Sequence, residues 1–255
     1  MIDKLSANQN RREIISLRSA SMLAALILLG QIAVVLFLGD NPDLRIAISD
    51  LTYPLVNLLA TFCLIHAARR SNGEQVRLAW MMLALAELCF TIGDVIWAIF
   101  EVGLNQSPFP SLADGPYLAF YPLFALGILF LPALPLTSTE RLKVMLDTGI
   151  VMTASIILFW ALLIAPTIAS NTQGEALTAT LAVAYPVMDL VLLFALIELL
   201  FRRLKSTAIM PLLLLIAGTS LMIVTDALYM SQSLQQTYVS GEFLDIGWFV
   251  FYILA

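Results

Sequence analysis

Charge is what this sequence has least of. Asp, Glu, Lys and Arg make up 12% of 255 residues, against 60% hydrophobic. Soluble domains carry about a quarter charged residues, so a water-soluble globule is excluded. Histidine is nearly absent too. The single His66 cannot build a bis-histidine haem site and reads as a solvated or packed residue at a helix end. The two cysteines, Cys63 and Cys89, lack metal-ligand spacing and lie inside apolar runs. They read as small packing residues rather than a disulfide or a zinc site. A glycine-rich phosphate loop, an H-E-x-x-H helix, a G-x-S-x-G elbow and a basic nucleic-acid patch are all missing. The chain therefore reads as no enzyme, with no cofactor, metal or nucleic-acid partner.

What is present in abundance is long apolar runs. A hydrocarbon core of about 30 Å needs about 20 residues of helix, and the runs are continuous rather than alternating as barrel strands would be. They predict an all-α polytopic membrane protein with helices at 20–38, 50–68, 79–101, 115–134, 144–165, 179–201, 208–230 and 244–255. With the N-terminus in the cytoplasm, Lys4, Arg11, Arg12, Arg18, Arg69, Arg70, Arg77, Arg141, Lys143, Arg202, Arg203 and Lys205 all fall inside, and only Arg45 falls outside. That asymmetry follows the positive-inside rule and predicts a bacterial inner (plasma) membrane protein with both termini cytoplasmic. The basic start before an apolar run is like a signal peptide. No small-x-small site follows Gly39, so the first helix is read as retained.

The chain echoes itself. Tyr53-Pro54 matches Tyr185-Pro186, Asn57 matches Asp189, Asp94 matches Asp226 and Trp97 matches Tyr229, all at an offset of 132. Asp114, Tyr117 and Tyr121 match Asp245, Trp248 and Tyr252 at 131, and Arg69-Arg70 matches Arg202-Arg203 at 133. The expected organisation is a cytoplasmic lead-in (1–19), a first four-helix repeat (20–134), an inner linker (135–143) and a second repeat (144–255). An even number of helices per half makes the repeats parallel, about an axis along the membrane normal. Helix 8 stops after about 18 Å of rise, so the sequence is expected to be a fragment whose continuation enters the cytoplasm.

Eleven of the eighteen acids fall in the expected outer half, and Asp94, Asp189 and Asp226 lie inside helices. An ionised carboxylate in hydrocarbon costs several kcal/mol, and Arg45 alone cannot pair them all. Glu87, Asp94 and Glu101 repeat at a spacing of 7 with Trp97 beside them, and Asp114, Tyr117 and Tyr121 share a face. One reading makes the acids interhelical hydrogen-bond glue and the aromatics an interfacial belt. The other makes them an outward-opening, acid-lined cavity for a cation, a hydrogen-bond donor or a proton. Its candidate ligand-binding residues are Tyr53, Asn57, Asp94, Trp97, Asp114, Tyr117, Tyr121, Tyr185, Asp189, Asp226, Tyr229, Asp245 and Trp248. Tyr and Trp faces suit an organic cation. Pro54, Pro122 and Pro186 are expected to kink helices near the same level.

The string Gly93-Asp94-Val95-Ile96-Trp97, the loop Ser107-Pro108-Phe109-Pro110-Ser111, the segment Ala113–Leu123 and the later Leu244-Asp245-Ile246-Gly247-Trp248 resemble the N-terminal multi-helix membrane region of bacterial signalling proteins that carry PAS, GGDEF, EAL or histidine-kinase domains. The resemblance implies a sensory input module with a cytoplasmic output domain in cis, acting through cyclic-di-GMP turnover or phosphotransfer. It implies no particular ligand. The rivals are a 4+4 small-molecule or cation transporter, and a structural anchor with a homodimer interface. Reading the gene beyond codon 255 separates them: a GGDEF, EAL, PAS or kinase domain is expected there, and a prompt stop codon would favour transport.

Overall fold

The computed structural model describes residues 17–132, 136–170, 176–201, 209–235 and 237–254. Lys4, Arg11, Arg12, Glu175, Arg202, Arg203 and Lys205, most of the lead-in and the first residue of the expected linker lie outside the described residues. Among the described residues there is no strand. The helices are α1 (Leu17–Phe37), α2 (Pro42–Arg70), α3 (Glu74–Ala98), α4 (Asp114–Phe130), α5 (Ser138–Phe159), α6 (Ala176–Phe201), α7 (Ile209–Leu234) and α8 (Ile246–Leu254). α3 runs on through a wider π-helical turn, Ile99–Gly103, and α5 runs on through Trp160–Ile164 and Ala165–Ser170.

Five helices, α1, α2, α3, α5 and α6, start three or more residues earlier than their apolar runs predict, and for the two largest extensions, α2 and α5, capping chemistry is the reason. α2 opens at Pro42 rather than at residue 50, because Asn41 accepts the Leu44 N–H at 3.2 Å and Pro42 is preset for the first turn. α5 opens at Ser138 rather than 144, where Thr137 and Glu140 form a reciprocal capping box. Arg69 and Arg70 close α2 in its last turn, where the helix dipole favours cations.

Six helices are long and apolar enough to cross a membrane, while Asp114–Phe130 and Phe243–Leu254 are shorter apolar helices. Side-chain placement agrees with an apolar solvent. Leu26, Leu55, Phe62, Ile150 and Leu158 face outward, whereas Gln31, Asn57, Glu87, Asp94, Asp189 and Thr219 are buried. Soluble proteins bury the apolar set and solvate the polar one, so this is a helical membrane protein. Cys63 departs from the expected packing role in that it lies on the exposed apolar face of α2 beside Phe62, while Cys89 is half-buried. His66 is exposed near the Arg69-Arg70 end of α2, as expected of a helix-end histidine.

Helix contacts close a ring. α2 packs on α3, α3 on α4, α4 on α6, α6 on α7, α7 on α8 and α8 back on α2. α1 lies outside this ring against α2 and α8, and α5 lies outside it against α6 and α7. The segments 104–113 and 237–245 meet at one end, hereafter the loop end. There Ser240 Oγ donates to Glu101 Oε2 at 3.1 Å, and Arg45, buried, reaches Glu242 at 3.4 Å. Arg69, Arg70, Arg77, Arg141 and Lys143 belong to helix ends at the opposite side of the bundle.

The loop before α8 depends on Gly241. Its φ of +77° is a left-handed conformation, its N–H donates to Asp245 Oδ2 at 2.7 Å, and an added Cβ would meet Ile46 at 3.3 Å. Gly241→Ala is expected to destabilise the bundle by about 1–2 kcal/mol, read as a lowered thermal midpoint in detergent. An unchanged midpoint would mean that this turn does not anchor α8.

Candidate functional site

Every helix of the ring contributes to one cavity of about 110 Å³. On that measure a water takes roughly 10–15 Å³, so the space holds several waters or one small ligand. Eleven of the thirteen candidate residues line it: Tyr53, Asp94, Trp97, Tyr117, Tyr121, Tyr185, Asp189, Asp226, Tyr229, Asp245 and Trp248. Asp114 and Asn57 stand one side chain behind it. A wider vestibule of about 590 Å³ adjoins it at the loop end, sharing Trp97, Phe109, Tyr229, Tyr238 and Ser240 with the cavity.

Two carboxylates organise the cavity, each fed by donors from elsewhere in the ring. Asp94 on α3 accepts from Tyr117 Oη of α4 at 3.0 Å and from Tyr252 Oη of α8 at 3.4 Å. Gly93 makes the first contact possible, since any Cβ there would collide with the Tyr117 ring. Asp226 on α7 accepts from Trp248 Nε1 of α8 at 2.6 Å and from Tyr121 Oη of α4 at 3.0 Å. A neutral phenol or indole donor stabilises a buried carboxylate without adding a second buried charge. This is how the bundle tolerates acids that pair with no cation among the described residues.

The two carboxylates differ in their inner neighbours. Behind Asp94 stands the Asn57 amide. In one orientation Asn57 Nδ2 donates to Asp94 Oδ2 at 3.4 Å. Turned over, it donates to Glu87 Oε2 at 2.6 Å and its oxygen accepts from the Thr91 N–H at 3.2 Å. The second orientation satisfies both ends of the amide. Beside Asp226 stands a second acid, Asp189 of α6, in hydrogen-bond contact with it. Asp189 is 1% exposed and its Oδ1 has no partner.

Nearer the loop end two more acids act as caps. Asp114 accepts the Ser111 N–H at 2.7 Å and Tyr185 Oη at 2.6 Å. Asp245 accepts the Gly241 N–H at 2.7 Å and Tyr238 Oη at 3.1 Å. Burial and the adjacent Asp245 push the Tyr238 phenol well above its usual range, so it remains a donor. Trp97 Nε1 donates to Glu101 at 2.5 Å, and Glu101 is also in contact with Asp50. The aromatic walls form two packed groups: Tyr229 meets Trp248 at 5.5 Å and Tyr238 at 4.7 Å, and Tyr121 meets Tyr185 at 6.3 Å, all edge-on.

Sequence reasoning missed Asp50, Phe90, Phe109, Pro186, Met230, Tyr238, Ser240 and Tyr252 as lining residues. Tyr252 was within reach, because it stands opposite Tyr121 in the internal echo. Tyr238 and Ser240 lie in a loop without such a counterpart, and only the Gly241 turn and the Asp245 cap bring them over the cavity. Comparison with known proteins adds nothing to this geometry: no family model matches the chain, and no curated protein or solved structure matches it significantly.

The Tyr121–Asp226 bond joins α4 to α7 across 105 residues of chain. A double-mutant cycle with Tyr121→Phe and Asp226→Ala is expected to give a coupling of about 0.5–1.5 kcal/mol in reversible unfolding from detergent. Additive effects would show that the bond contributes nothing to stability.

Proposed function

We propose that this chain is a transmembrane sensory input domain, whose acidic and aromatic cavity takes up a small cationic or hydrogen-bond-donating ligand, or a proton. In this reading the chain spans the bacterial inner membrane as eight helices in two parallel four-helix repeats. The loop end faces outward, and the packing change reaches a cytoplasmic output domain that turns over cyclic-di-GMP or transfers phosphate. The observation that carries the reading is the cavity at the centre of the ring. Asp94 and Asp226 each accept from donors on two other elements, so whatever binds between them bears on the packing of α3, α4, α7 and α8 together.

The repeat is supported by the way the bonds pair off. Tyr117 to Asp94 corresponds to Trp248 to Asp226, and Tyr121 to Asp226 corresponds to Tyr252 to Asp94. The second pair crosses between halves. The outward orientation is supported by basic residues at the far side of the bundle. A ligand moves such an assembly only if it binds one packing more tightly than another.

The test uses the full chain in lipid nanodiscs. Adding a small alkylammonium is expected to change the fluorescence of Trp97 and Trp248. It should also shift the distance between spin labels at Leu126→Cys on α4 and Leu213→Cys on α7, both exposed sites. Asp94→Asn should insert normally and abolish the distance shift. A fluorescence change with no distance shift would overturn the sensor reading. Flux of the same ammonium into proteoliposomes would install a transporter instead.

A further inference from the structure

We propose that the vestibule at the loop end is a recognition site for a quaternary ammonium group: the head rests among the rings of Trp97, Phe109, Tyr229 and Tyr238, and Glu101 supplies the opposing charge. The inference rests on the ligand-binding reading given above. It moves the first point of contact from the inner cavity to the space that adjoins it, and it names the class of cation.

Three observations carry it. The first is size: the vestibule holds about 590 Å³ against about 110 Å³ for the inner cavity. A trialkylammonium head and the arm that carries it have room there together. The second is charge. Of the side chains lining the vestibule only Glu101 is ionisable as an acid, and none is cationic. Its Oε2 accepts from Trp97 Nε1 at 2.5 Å and from Ser240 Oγ at 3.1 Å. Both donors are neutral, and Glu101 forms no ion pair among the described residues. These bonds hold the carboxylate in place and leave its charge without a cation.

The third is the set of rings. All four are half-buried, so each keeps surface to offer to the space it lines. Tyr229 and Tyr238 meet at 4.7 Å with their planes 85° apart, which makes a corner. Trp97 stands on α3, Phe109 in the segment after it, Tyr229 on α7 and Tyr238 in the segment before α8. Rings contributed by separate segments are the means by which proteins hold a quaternary head.

These features select among cations. A metal ion needs a cage of ligand atoms, and among the described residues no cluster of His, Cys, Asp and Glu is arranged to hold one. A primary ammonium must exchange its hydration for three acceptors, and Glu101 Oε2 already takes two donors. A quaternary head has no N–H to satisfy and is held by ring faces and by charge at a distance. An acid group on the ligand would be repelled by Glu101. Asn105, Gln106 and Ser107 also line the vestibule and suit a hydroxyl on the arm. A head bound here lies beside the Glu101–Ser240 bond, which ties α3 to the segment before α8 across 139 residues.

The experiment is calorimetric titration of the full chain in nanodiscs of phosphatidylethanolamine and phosphatidylglycerol. Three probes are compared: choline, the uncharged alcohol in which carbon replaces the choline nitrogen, and trimethylglycine. Choline is expected to bind at least about tenfold more tightly than either. Glu101→Gln keeps an acceptor for Trp97 and Ser240 but removes the charge, and should weaken choline about tenfold. Tyr229→Leu should weaken it several-fold and Tyr229→Phe, which keeps the ring, should not; this pair decides if Glu101→Gln fails to fold. Equal binding of choline and the uncharged alcohol, equal binding of trimethylglycine, or unchanged choline affinity in Glu101→Gln overturns the site. So does a failure of choline to bind: the inner-cavity reading stands if ethylammonium still changes the tryptophan fluorescence, and falls with it if not. Nanodiscs containing phosphatidylcholine separate two sources of the same head. Choline binding weakened there by competition assigns the site to a lipid headgroup, and unchanged binding assigns it to a free cation.

Discussion

An acid inside an apolar bundle must be given donors, and this requirement governs the rest of the structure. Hydrocarbon offers a carboxylate nothing, and the buried arginine at the loop end is engaged with Glu242. The bundle meets the demand with phenols and indoles, whose rings fill volume as core side chains while their polar tips reach inward. Tyr117, Tyr121, Tyr185, Tyr252, Trp97 and Trp248 all serve in this double capacity. The positions of the aromatics therefore follow from the positions of the acids. A helix carrying an acid at this depth cannot take just any neighbour; it needs one whose aromatic tip falls at the same level.

The same requirement explains why the cavity is lined on all sides. Donors to Asp94 come from α4 and α8, and donors to Asp226 come from the same two helices. α4 and α8 are thus shared by both carboxylates, while α2 and α6 supply their inner neighbours, Asn57 and Asp189. The surroundings of the two carboxylates differ at that inner position, amide beside one and acid beside the other, and in one donor, the Tyr117 phenol against the Trp248 indole. The inner position is the difference in acid–base chemistry through which the two sides would respond differently to a charged guest.

The helices were legible in the sequence because continuous apolar runs have one physical interpretation at this length. Their starts were less so. The charged stretch Asp40–Asp50 looks like loop by hydropathy, yet the Asn41 cap and Pro42 carry α2 through it, and Arg45 finds Glu242 only across the folded bundle. The site was legible to the extent that helical spacing fixes a face: Asp94 with Trp97, and Tyr117 with Tyr121, follow from periodicity alone. Spacing does not fix depth, so Asn57 and Asp114 were expected at the cavity wall and stand behind it. Residues delivered by loop geometry, Tyr238 and Ser240 above all, leave no periodic trace. Cys63 illustrates the converse: a small residue in an apolar run can face lipid as readily as core.

The ring closes where α8 meets α2, and that closure has a consequence for biosynthesis. Tyr252 reaches Asp94 across 158 residues of chain, and Arg45 reaches Glu242 across 197. A ribosome delivers α3 long before it delivers α8, so Asp94 enters the bilayer with part of its donor set still unmade. Until then the half-built cleft must stay wet, or its acids must hold protons. Assembly of this protein is accordingly a late, long-range event, and an intermediate without α8 would present to the membrane's quality-control proteases the feature they are suited to detect: unsatisfied polar groups within hydrocarbon.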